Sequence, residues 1–351
     1  MFLKNAWYGA GWSDDLGPGQ MKQHFIIGQP VVLARLADGT LVALEDRCAH
    51  RAAALSYGQI EGDSLRCMYH GVRFDARTGV GLEVPGQARP SDGMRVRTYP
   101  VHVRQGWIFV WMGNPAKADL ALVPPVAGPH NREWALCHGE MDYDANYVLI
   151  NDNLCDLSHL SFVHVESFGL GDASRLSAWA AERPDVTVLD RGIHVQRWVE
   201  GAPVPPFIAE KVSSGRIDRL AVYDYLAPGV FLMFAEIYPE GTCRATGGQR
   251  PTDIEPLYAD FASQTVVPMT DRSTRYYFTW GARTRDTEPG MPERMRAMTI
   301  AAFKEDKRMV EMQQRIHDAT PDLVFQPTVH DRGANQMRLV MKRLMEAEQA
   351  A

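Results

Sequence analysis

The first third of the chain alternates short apolar runs with turn signals. Residues 25–46 predict two strands joined at Asp38-Gly39, a dipeptide that favours a hairpin. Residues 64–75 and 94–112 also have the composition and patterning of short strands. We therefore expect an all-β module with many turns at the amino-terminal end.

A proline- and glycine-rich segment, residues 113–130, indicates a linker after this module. A chain of 351 residues is long for one domain and comfortable for two. The composition, with 45% apolar and 23% charged residues, is that of an ordinary globular protein. We predict two domains, at residues 1–115 and 116–351.

Beyond the linker, the pattern predicts helices together with a sheet. Helical periodicity begins near Asp144 and continues towards Ser167. Alternating segments then predict a sheet of about six strands, at residues 186–189, 193–199, 222–226, 230–238, 264–267 and 275–280. The clearest helix covers residues 292–317, with Pro292 in its first turn, and a second amphipathic helix fits residues 333–347. An α+β fold class follows.

Charge and hydropathy limit the partners and the location. The formal net charge is −6 and no long basic run occurs, which argues against nucleic acid or an anionic membrane as the main partner. No apolar stretch reaches the length of about 18 residues that would predict a membrane-spanning helix. The first residues lack the charged-then-apolar order of a secretory signal, so we expect a cytoplasmic protein.

Two of the five cysteines begin metal-ligand patterns. Cys48-Ala49-His50 is followed, after sixteen intervening residues, by Cys67-Met68-Tyr69-His70. These donors suit zinc, as a Cys2His2 site, or a [2Fe–2S] cluster with two cysteines on one iron and two histidines on the other. Because each pattern mixes one cysteine with one histidine, the spacing favours the cluster. The other cysteines, 137, 155 and 243, are expected to be small buried residues.

A second group of possible ligands lies in the helical segment that begins near Asp144. His159 and His164 are five residues apart, about 140° around an ideal helix, so a straight helix would not aim them at one point. They converge only if the helix is distorted or if His164 lies past its end. Asp156 precedes His159 by three residues and suits a role in fixing the tautomer of that histidine.

Asp306 is a third possible ligand because it interrupts an apolar stripe on the helix predicted at 292–317. A buried carboxylate needs a strong partner such as a metal. The surrounding charge run, Lys304 to Arg308, indicates a solvated face instead. Together, His159, His164 and Asp306 form the two-histidine, one-carboxylate donor set of mononuclear non-haem Fe(II) oxygenases.

Both motifs resemble those of the Rieske non-haem iron oxygenases. The Cys-x-His and Cys-x-x-His-Gly pattern is similar to the Rieske domain of ring-hydroxylating and O-demethylating oxygenases. The segment Asn153–His164 resembles the Asn-x-x-Asp-x-x-His-x4-His motif of their α subunits, and Met298–Val310 resembles their late helix with an Asp ligand. The likeness is greatest to vanillate and dicamba O-demethylases. Ala49, Met68 and Val72 stand where Pro, Pro and Trp are common in the family.

This resemblance implies an α+β fold with an all-β Rieske domain and a carboxy-terminal helix-grip (START/Bet v 1-like) domain, an antiparallel sheet with helices. It implies one [2Fe–2S] cluster and one mononuclear Fe(II) per chain. The cluster ligands would be Cys48, His50, Cys67 and His70, and the iron ligands His159, His164 and Asp306. The chain would be a terminal oxygenase component that hydroxylates a small aromatic substrate with O2, through O-demethylation with release of formaldehyde.

Partners also follow from the resemblance. A separate NAD(P)H-dependent reductase with flavin and a [2Fe–2S] centre, or a ferredoxin, would deliver electrons, since no GxGxxG motif is evident here. A homotrimer is implied, in which Asp156 links His159 of one chain to His70 of the next and takes part in catalysis. Near the substrate we expect Asn153, to which we also assign a catalytic role, together with Met233 and Gln264. Arg216, Arg219 and Arg275 are possible partners for a substrate carboxylate.

Four other functions stay open at this point. Within the same enzyme class, the reaction could be another monooxygenation, at a methyl group or a ring, or a ring cis-dihydroxylation. Outside enzymes, the chain could be a Rieske electron carrier, although its length argues against that. It could also be a non-catalytic ligand-binding protein, although the presence of all seven candidate metal ligands argues against it.

Overall fold

The computed structural model describes residues 1–164, 182–204 and 206–350. The chain forms two compact units. The first comprises Met1–Pro124 with Val267–Ser273, and the second comprises Pro125–Val266 with Thr274–Ala351. The boundary that we place between residues 115 and 116 from the sequence stays a prediction.

The first unit is built almost entirely of short strands. They are β1 (Trp7–Trp12), β2 (Met21–Ile26), β3 (Gln29–Arg35), β4 (Leu41–Glu45), β5 (Gln59–Glu61), β6 (Ser64–Arg66), β7 (Arg73–Asp75), β8 (Gly81–Glu83), β9 (Thr98–Tyr99), β10 (Val101–Arg104) and β11 (Trp107–Trp111). They form sheets in the orders β1-β11-β10, β2-β3-β4-β9 and β5-β6-β7-β8. A single apolar cluster that includes Leu44, Leu65 and Phe74 joins the two four-stranded sheets. The β-rich first domain is therefore confirmed.

The second unit has an antiparallel sheet of seven strands in the order β12-β18-β17-β16-β15-β14-β13. These strands are β12 (Trp134–Tyr143), β13 (Asp185–Leu189), β14 (Gly192–Pro203), β15 (Arg216–Leu226), β16 (Val230–Pro239), β17 (Tyr258–Thr270) and β18 (Ser273–Arg283). Among the described residues, the helices are α1 (Tyr147–Cys155), α2 (Leu160–Val163), α3 (Thr242–Ala245), α4 (Met291–Ala319) and α5 (Arg332–Ala350). The predicted α+β class with an antiparallel sheet is confirmed.

Helices α1, α4 and α5 pack on one face of this sheet. The ring of Phe303 on α4 meets the Tyr276 ring of β18 edge-on, with centroids 4.9 Å apart. The Tyr223 hydroxyl of β15 donates to the Cys155 carbonyl at the end of α1, at 2.5 Å. Arg338 on α5 pairs with Asp152 on α1, with Nε 2.9 Å from Oδ1. The face of the sheet that bears Tyr223 is therefore the one that the helices cover.

Some predicted elements are longer in the structure and one predicted helix is shorter. Helices α4 and α5 confirm the two predicted carboxy-terminal helices and exceed them by one to three residues at each end. Strand β12 adds a seventh strand that the hydrophobic pattern does not predict. The helix predicted from Asp144 towards Ser167 is shorter, since α1 ends at Cys155, and residues 165–167 lie outside the described part of the chain. Among the described residues, no helix has the length and hydropathy needed to cross a membrane.

Candidate metal centres

The first group of donors lies on two tight loops that follow strands β4 and β6. In the first loop, the Ala52 amide donates to the Cys48 carbonyl and the Cys48 amide donates to the Ala53 carbonyl. In the second, the Gly71 amide donates to the Cys67 carbonyl, with Gly71 at a φ of 74° that disfavours a side chain. Both loops therefore fold back on a cysteine.

The two thiols are buried and the two imidazoles are exposed. Cys48 and Cys67 are 3% and 1% exposed, whereas His50 and His70 lie at the surface with their ring centroids 4.6 Å apart. Burial raises the pKa of the Cys48 thiol, and the adjacent Cys67 sulfur raises it further. Two adjacent buried thiols and two adjacent exposed imidazoles fit the donor set of a [2Fe–2S] cluster, which these four side chains would hold.

Arg66 holds the backbone of the second loop through a hydrogen bond and ion pairs. Its guanidinium donates from Nη1 to the Gly71 carbonyl at 2.8 Å and pairs with Glu61 and Glu83. The Tyr69 ring is 63% exposed and lies against the His70 ring, with centroids 3.9 Å apart. The ion pairs thus hold the backbone of the loop, and Tyr69 covers one side of the imidazole.

The second group of donors depends on a break in the helical segment at Asp156. Asp156 has extended backbone angles, φ −120° and ψ 94°, and its carboxylate accepts from the Ser158 amide at 2.9 Å. Aspartate favours this capping position, so α1 stops and a short 3-10 turn, Leu157–His159, starts afresh before α2. His164 then follows the end of α2. The two histidines can therefore converge because His164 lies past the end of its helix, which is one of the two possibilities that the sequence leaves open.

These histidines meet Asp306 of α4 at a common point. The Asp306 Oδ1 atom lies 3.5 Å from His159 Nε2, 3.2 Å from His164 Nε2 and 3.2 Å from Asn153 Nδ2. One ligand atom from each histidine and from Asp306 lie within 4.8 Å of one another. Asp306 and His164 are 4% and 1% exposed. Two imidazole nitrogens and a carboxylate in a buried position suit Fe(II).

The opposite nitrogen of each imidazole also has a partner. His159 Nδ1 contacts the backbone carbonyl of Asp156, whereas the sequence suggests its side chain for this role. His164 Nδ1 lies 2.8 Å from Oε2 of Glu305. Both rings therefore direct Nε2 towards Asp306. The sequence does not predict the role of Glu305, because the charged residues around it indicate a solvent-exposed face. Its position next to Asp306 is the one sequence feature that points to the site.

The surroundings shift the pKa values of the two histidines in opposite directions. Burial lowers the pKa of His159, and the attraction of Asp306 offsets this only in part. Burial also acts to lower the pKa of His164, but hydrogen bonds and charge from Asp306 and Glu305 outweigh it and raise that pKa. His164 is thus the imidazole with the stronger anionic surroundings.

Two of the predicted substrate residues, Met233 and Gln264, lie on the helix-covered face of the sheet, whereas Asn153 lies on α1. Met233 pairs with Tyr223, and Gln264 pairs with Phe231 two residues away on the same strand as Met233. Gln264 is 5% exposed. Within the described part of the chain, the side chains of Asn151, Gln264 and Tyr276 have buried polar atoms without a hydrogen-bond partner.

The arginines that could pair with a substrate carboxylate differ in whether another group of the chain already occupies them. Arg216 donates to the Gly201 carbonyl and Arg275 pairs with Asp142, so these two are occupied elsewhere. Arg197 of β14, which the sequence analysis does not single out, is 4% exposed and lies on the Tyr223 face of the sheet. Burial lowers its pKa, against the attraction of Asp156.

Comparison with known proteins gives matches along the whole chain. Residues 6–100 match the family described as Rieske [2Fe-2S] domain, and residues 143–347 match the Vanillate O-demethylase oxygenase C-terminal domain. The toluene-4-sulfonate monooxygenase system iron-sulfur subunit of Comamonas testosteroni is 31% identical, over 99% of this chain and 98% of its own. The oxygenase component of dicamba O-demethylase from Stenotrophomonas maltophilia is 30% identical, over 90% of this chain and 88% of its own.

Solved structures agree with these matches. The crystal structure of dicamba monooxygenase with non-haem iron and dicamba is 26% identical, covers 99% of both chains and has a TM-score of 0.79. A Rieske domain joined to an α+β domain with a two-histidine, one-carboxylate centre defines the oxygenase component of a multicomponent oxygenase. The chain belongs to the Rieske non-haem iron oxygenases, in the family of the vanillate O-demethylase oxygenase subunits. Its cofactors are a [2Fe–2S] cluster and a mononuclear iron.

Proposed function

We propose that this protein hydroxylates a methyl group of a small aromatic substrate, with O-demethylation of an aryl methyl ether as the reaction. The observation that carries the proposal is the convergence of His159 and His164 on Asp306 in the domain that follows the Rieske domain. One oxygen atom of O2 enters the C–H bond, and two electrons and two protons reduce the other to water. The hydroxylated ether is a hemiacetal, which breaks its C–O bond to give a phenol and formaldehyde.

The ligands that we propose divide between the two centres. Cys48, His50, Cys67 and His70 would hold the cluster, and His159, His164 and Asp306 would hold the iron. When bound, the cluster supplies electrons and the iron supplies O2 activation. The chain contributes the placement, because Asn153 donates to the Asp306 carboxylate and thereby fixes its orientation.

The substrate that we propose is aromatic and polar. The helix-covered face of the sheet offers large apolar side chains, among them Phe231 and Met233, which suit a ring. Buried polar atoms without a partner occur on strand residues Gln264 and Tyr276 and on Asn151 of α1, and each offers a hydrogen bond to a ring substituent. Asn153, Met233 and Gln264 are the substrate contacts that we propose from the sequence.

Electrons would arrive from a separate partner and cross between chains. The proposed donor is an NAD(P)H-dependent reductase with flavin and a [2Fe–2S] centre, or a ferredoxin, which would place the system in the cytoplasm. In the homotrimer that we propose, the Asp156 carboxylate joins His159 of one chain to His70 of the next. The exposed position of the His50 and His70 rings supports this arrangement, because surface imidazoles are open to a second chain.

Hydroxylation of an aryl methyl group is a second candidate reaction. The toluene-4-sulfonate relative matches 99% of this chain. Arg197 is a buried arginine on the face of the sheet that the helices cover, and a guanidinium group suits recognition of a sulfonate or carboxylate. In that case the product would be a benzylic alcohol and no formaldehyde would form.

The test is product analysis with the purified, iron-loaded protein and a surrogate reductase. Methoxybenzoates and toluene-4-sulfonate would be supplied with NADH and O2, and products would be separated by chromatography. Formaldehyde equal in amount to the phenol supports demethylation, and an alcohol without formaldehyde supports methyl hydroxylation. A cis-diol, or NADH oxidation without any product from either substrate class, contradicts the proposal.

A further inference from the structure

Glu305 lies one residue before the proposed iron ligand Asp306 and reaches the other proposed ligand, His164, from the opposite side. Its Oε2 atom is 2.8 Å from His164 Nδ1, and Asp306 Oδ1 is 3.2 Å from His164 Nε2. Two consecutive residues of α4 therefore contact the two nitrogens of one imidazole, one residue on each side of the ring. The His164 side chain is 2% exposed and that of Glu305 is 24% exposed, so the carboxylate closes the site towards solvent.

We propose that Glu305 is a positioning residue for the mononuclear centre, which holds His164 as the tautomer whose Nε2 is free to bind iron. The proposal rests on the function proposed above. An imidazole that donates its Nδ1–H to a carboxylate has a fixed ring orientation and a more basic Nε2. Because Glu305 is anionic, it also favours the charge of a divalent cation at Nε2 over an empty site.

The two histidines would then depend on different supports. The Nδ1 atom of His159 meets a backbone carbonyl, that of Asp156, which no side-chain substitution removes. The support of His164 is a side chain and can be tested by substitution. Loss of Glu305 should therefore weaken one ligand of the centre and leave the other intact.

The test compares Glu305→Gln and Glu305→Ala with Glu293→Gln, which alters an exposed glutamate in the first turn of the same helix. The Gln variant keeps an acceptor oxygen and loses the charge, whereas the Ala variant loses both. Anaerobic dialysis against Fe(II) alone would measure the dissociation constant for iron beyond the two atoms of the cluster. Near-infrared magnetic circular dichroism would report the ligand field of that iron.

We expect iron binding to weaken by about 10-fold in Glu305→Gln and by up to about 100-fold in Glu305→Ala, with a changed ligand-field spectrum. Cluster absorbance should be unchanged in both, and Glu293→Gln should match the wild type. Iron binding equal to the wild type in Glu305→Ala overturns the proposal, as does equal weakening in Glu293→Gln or loss of the cluster in Glu305→Gln. If the wild type itself binds no third iron, the proposed function fails as well.

Discussion

Asp306 is the residue on which the geometry of the second centre depends. One of its oxygens faces nitrogen atoms of Asn153, His159 and His164 at 3.2–3.5 Å, in a position that is 4% exposed. A carboxylate this far from water is costly unless charges or hydrogen bonds compensate for the lost hydration. The three nitrogens provide part of that compensation, and a divalent cation between carboxylate and imidazoles would provide the rest.

A different carboxylate, that of Asp260 on strand β17, allows a test of stability. Its side chain accepts from Trp280 Nε1 at 2.8 Å, and burial raises its pKa from 3.8 to about 6. The folded state therefore holds its proton more tightly than the unfolded state. This group favours the folded state at low pH, and its contribution is lost as the pH rises from about 4 to about 6.

We expect Asp260→Asn to raise the free energy of unfolding by about 1–2 kcal/mol at pH 8. The amide keeps an acceptor for Trp280 and removes the cost of a half-buried charge. The gain should shrink as the pH falls through about 6 and approach zero near pH 3, where the wild-type carboxyl is mostly protonated in both states. Urea unfolding at both pH values would measure this, with the exposed Asp253→Asn as control, and a gain that does not vary with pH would contradict the assignment.

At the scale of elements, the histidine-bearing segment is held where three elements meet. Tyr223 of β15 bonds the Cys155 carbonyl that ends α1, and Gly333 of α5 lies against the same point. A Cβ on Gly333 would lie 2.8 Å from the Tyr223 hydroxyl and 2.9 Å from the Cys155 carbonyl oxygen. The absence of a side chain at Gly333 thus permits the close approach of α5 to the break at Asp156.

Gly333→Ala should therefore disturb the mononuclear centre and spare the cluster. We expect a loss of stability of about 1–3 kcal/mol from overpacking and weaker binding of the third iron, because the added methyl pushes on the end of α1. Iron analysis and thermal unfolding would measure the two effects. Asn335→Ala, an exposed position on the same helix, is the control. Undiminished iron content together with unchanged stability in Gly333→Ala would disprove this account of the packing.

Local sequence signals are most informative where the proposed ligands are close in sequence. The cysteine and histidine spacing at residues 48–70 corresponds to two short loops, each of which folds back on its cysteine. Strand β12 is missed because its ten residues lack strong alternation and are held by pairing along β18, a long-range contact. The helix break at Asp156 is missed because a capping aspartate looks the same as a helical one until its hydrogen bond is known.

At the scale of the whole molecule, two compact units each carry one group of donors. Electrons that enter at the cluster must reach the mononuclear centre for turnover. We propose that the Asp156 carboxylate forms this connection between neighbouring chains. Within one chain the carboxylate already accepts from the Ser158 amide, which keeps it beside His159.

Asp156→Asn should then abolish turnover while both iron centres stay bound. The amide can still cap the turn at Ser158, so the fold should persist, but it cannot carry the negative charge that joins two imidazoles. We expect a fall in rate of more than about 100-fold (about 2.7 kcal/mol). Rapid mixing of the reduced variant with O2 and substrate would follow cluster oxidation. A rate near that of the wild type would remove Asp156 from the electron path.

The most direct test of the central claim is the iron and sulfide content of the protein after anaerobic reconstitution. A [2Fe–2S] cluster and one mononuclear iron predict about three irons and two inorganic sulfides per chain. Asp306→Ala should lower the iron to about two and leave the sulfide and the cluster spectrum unchanged. Two irons in the wild type, or three in Asp306→Ala, would contradict the assignment of His159, His164 and Asp306 as an iron centre.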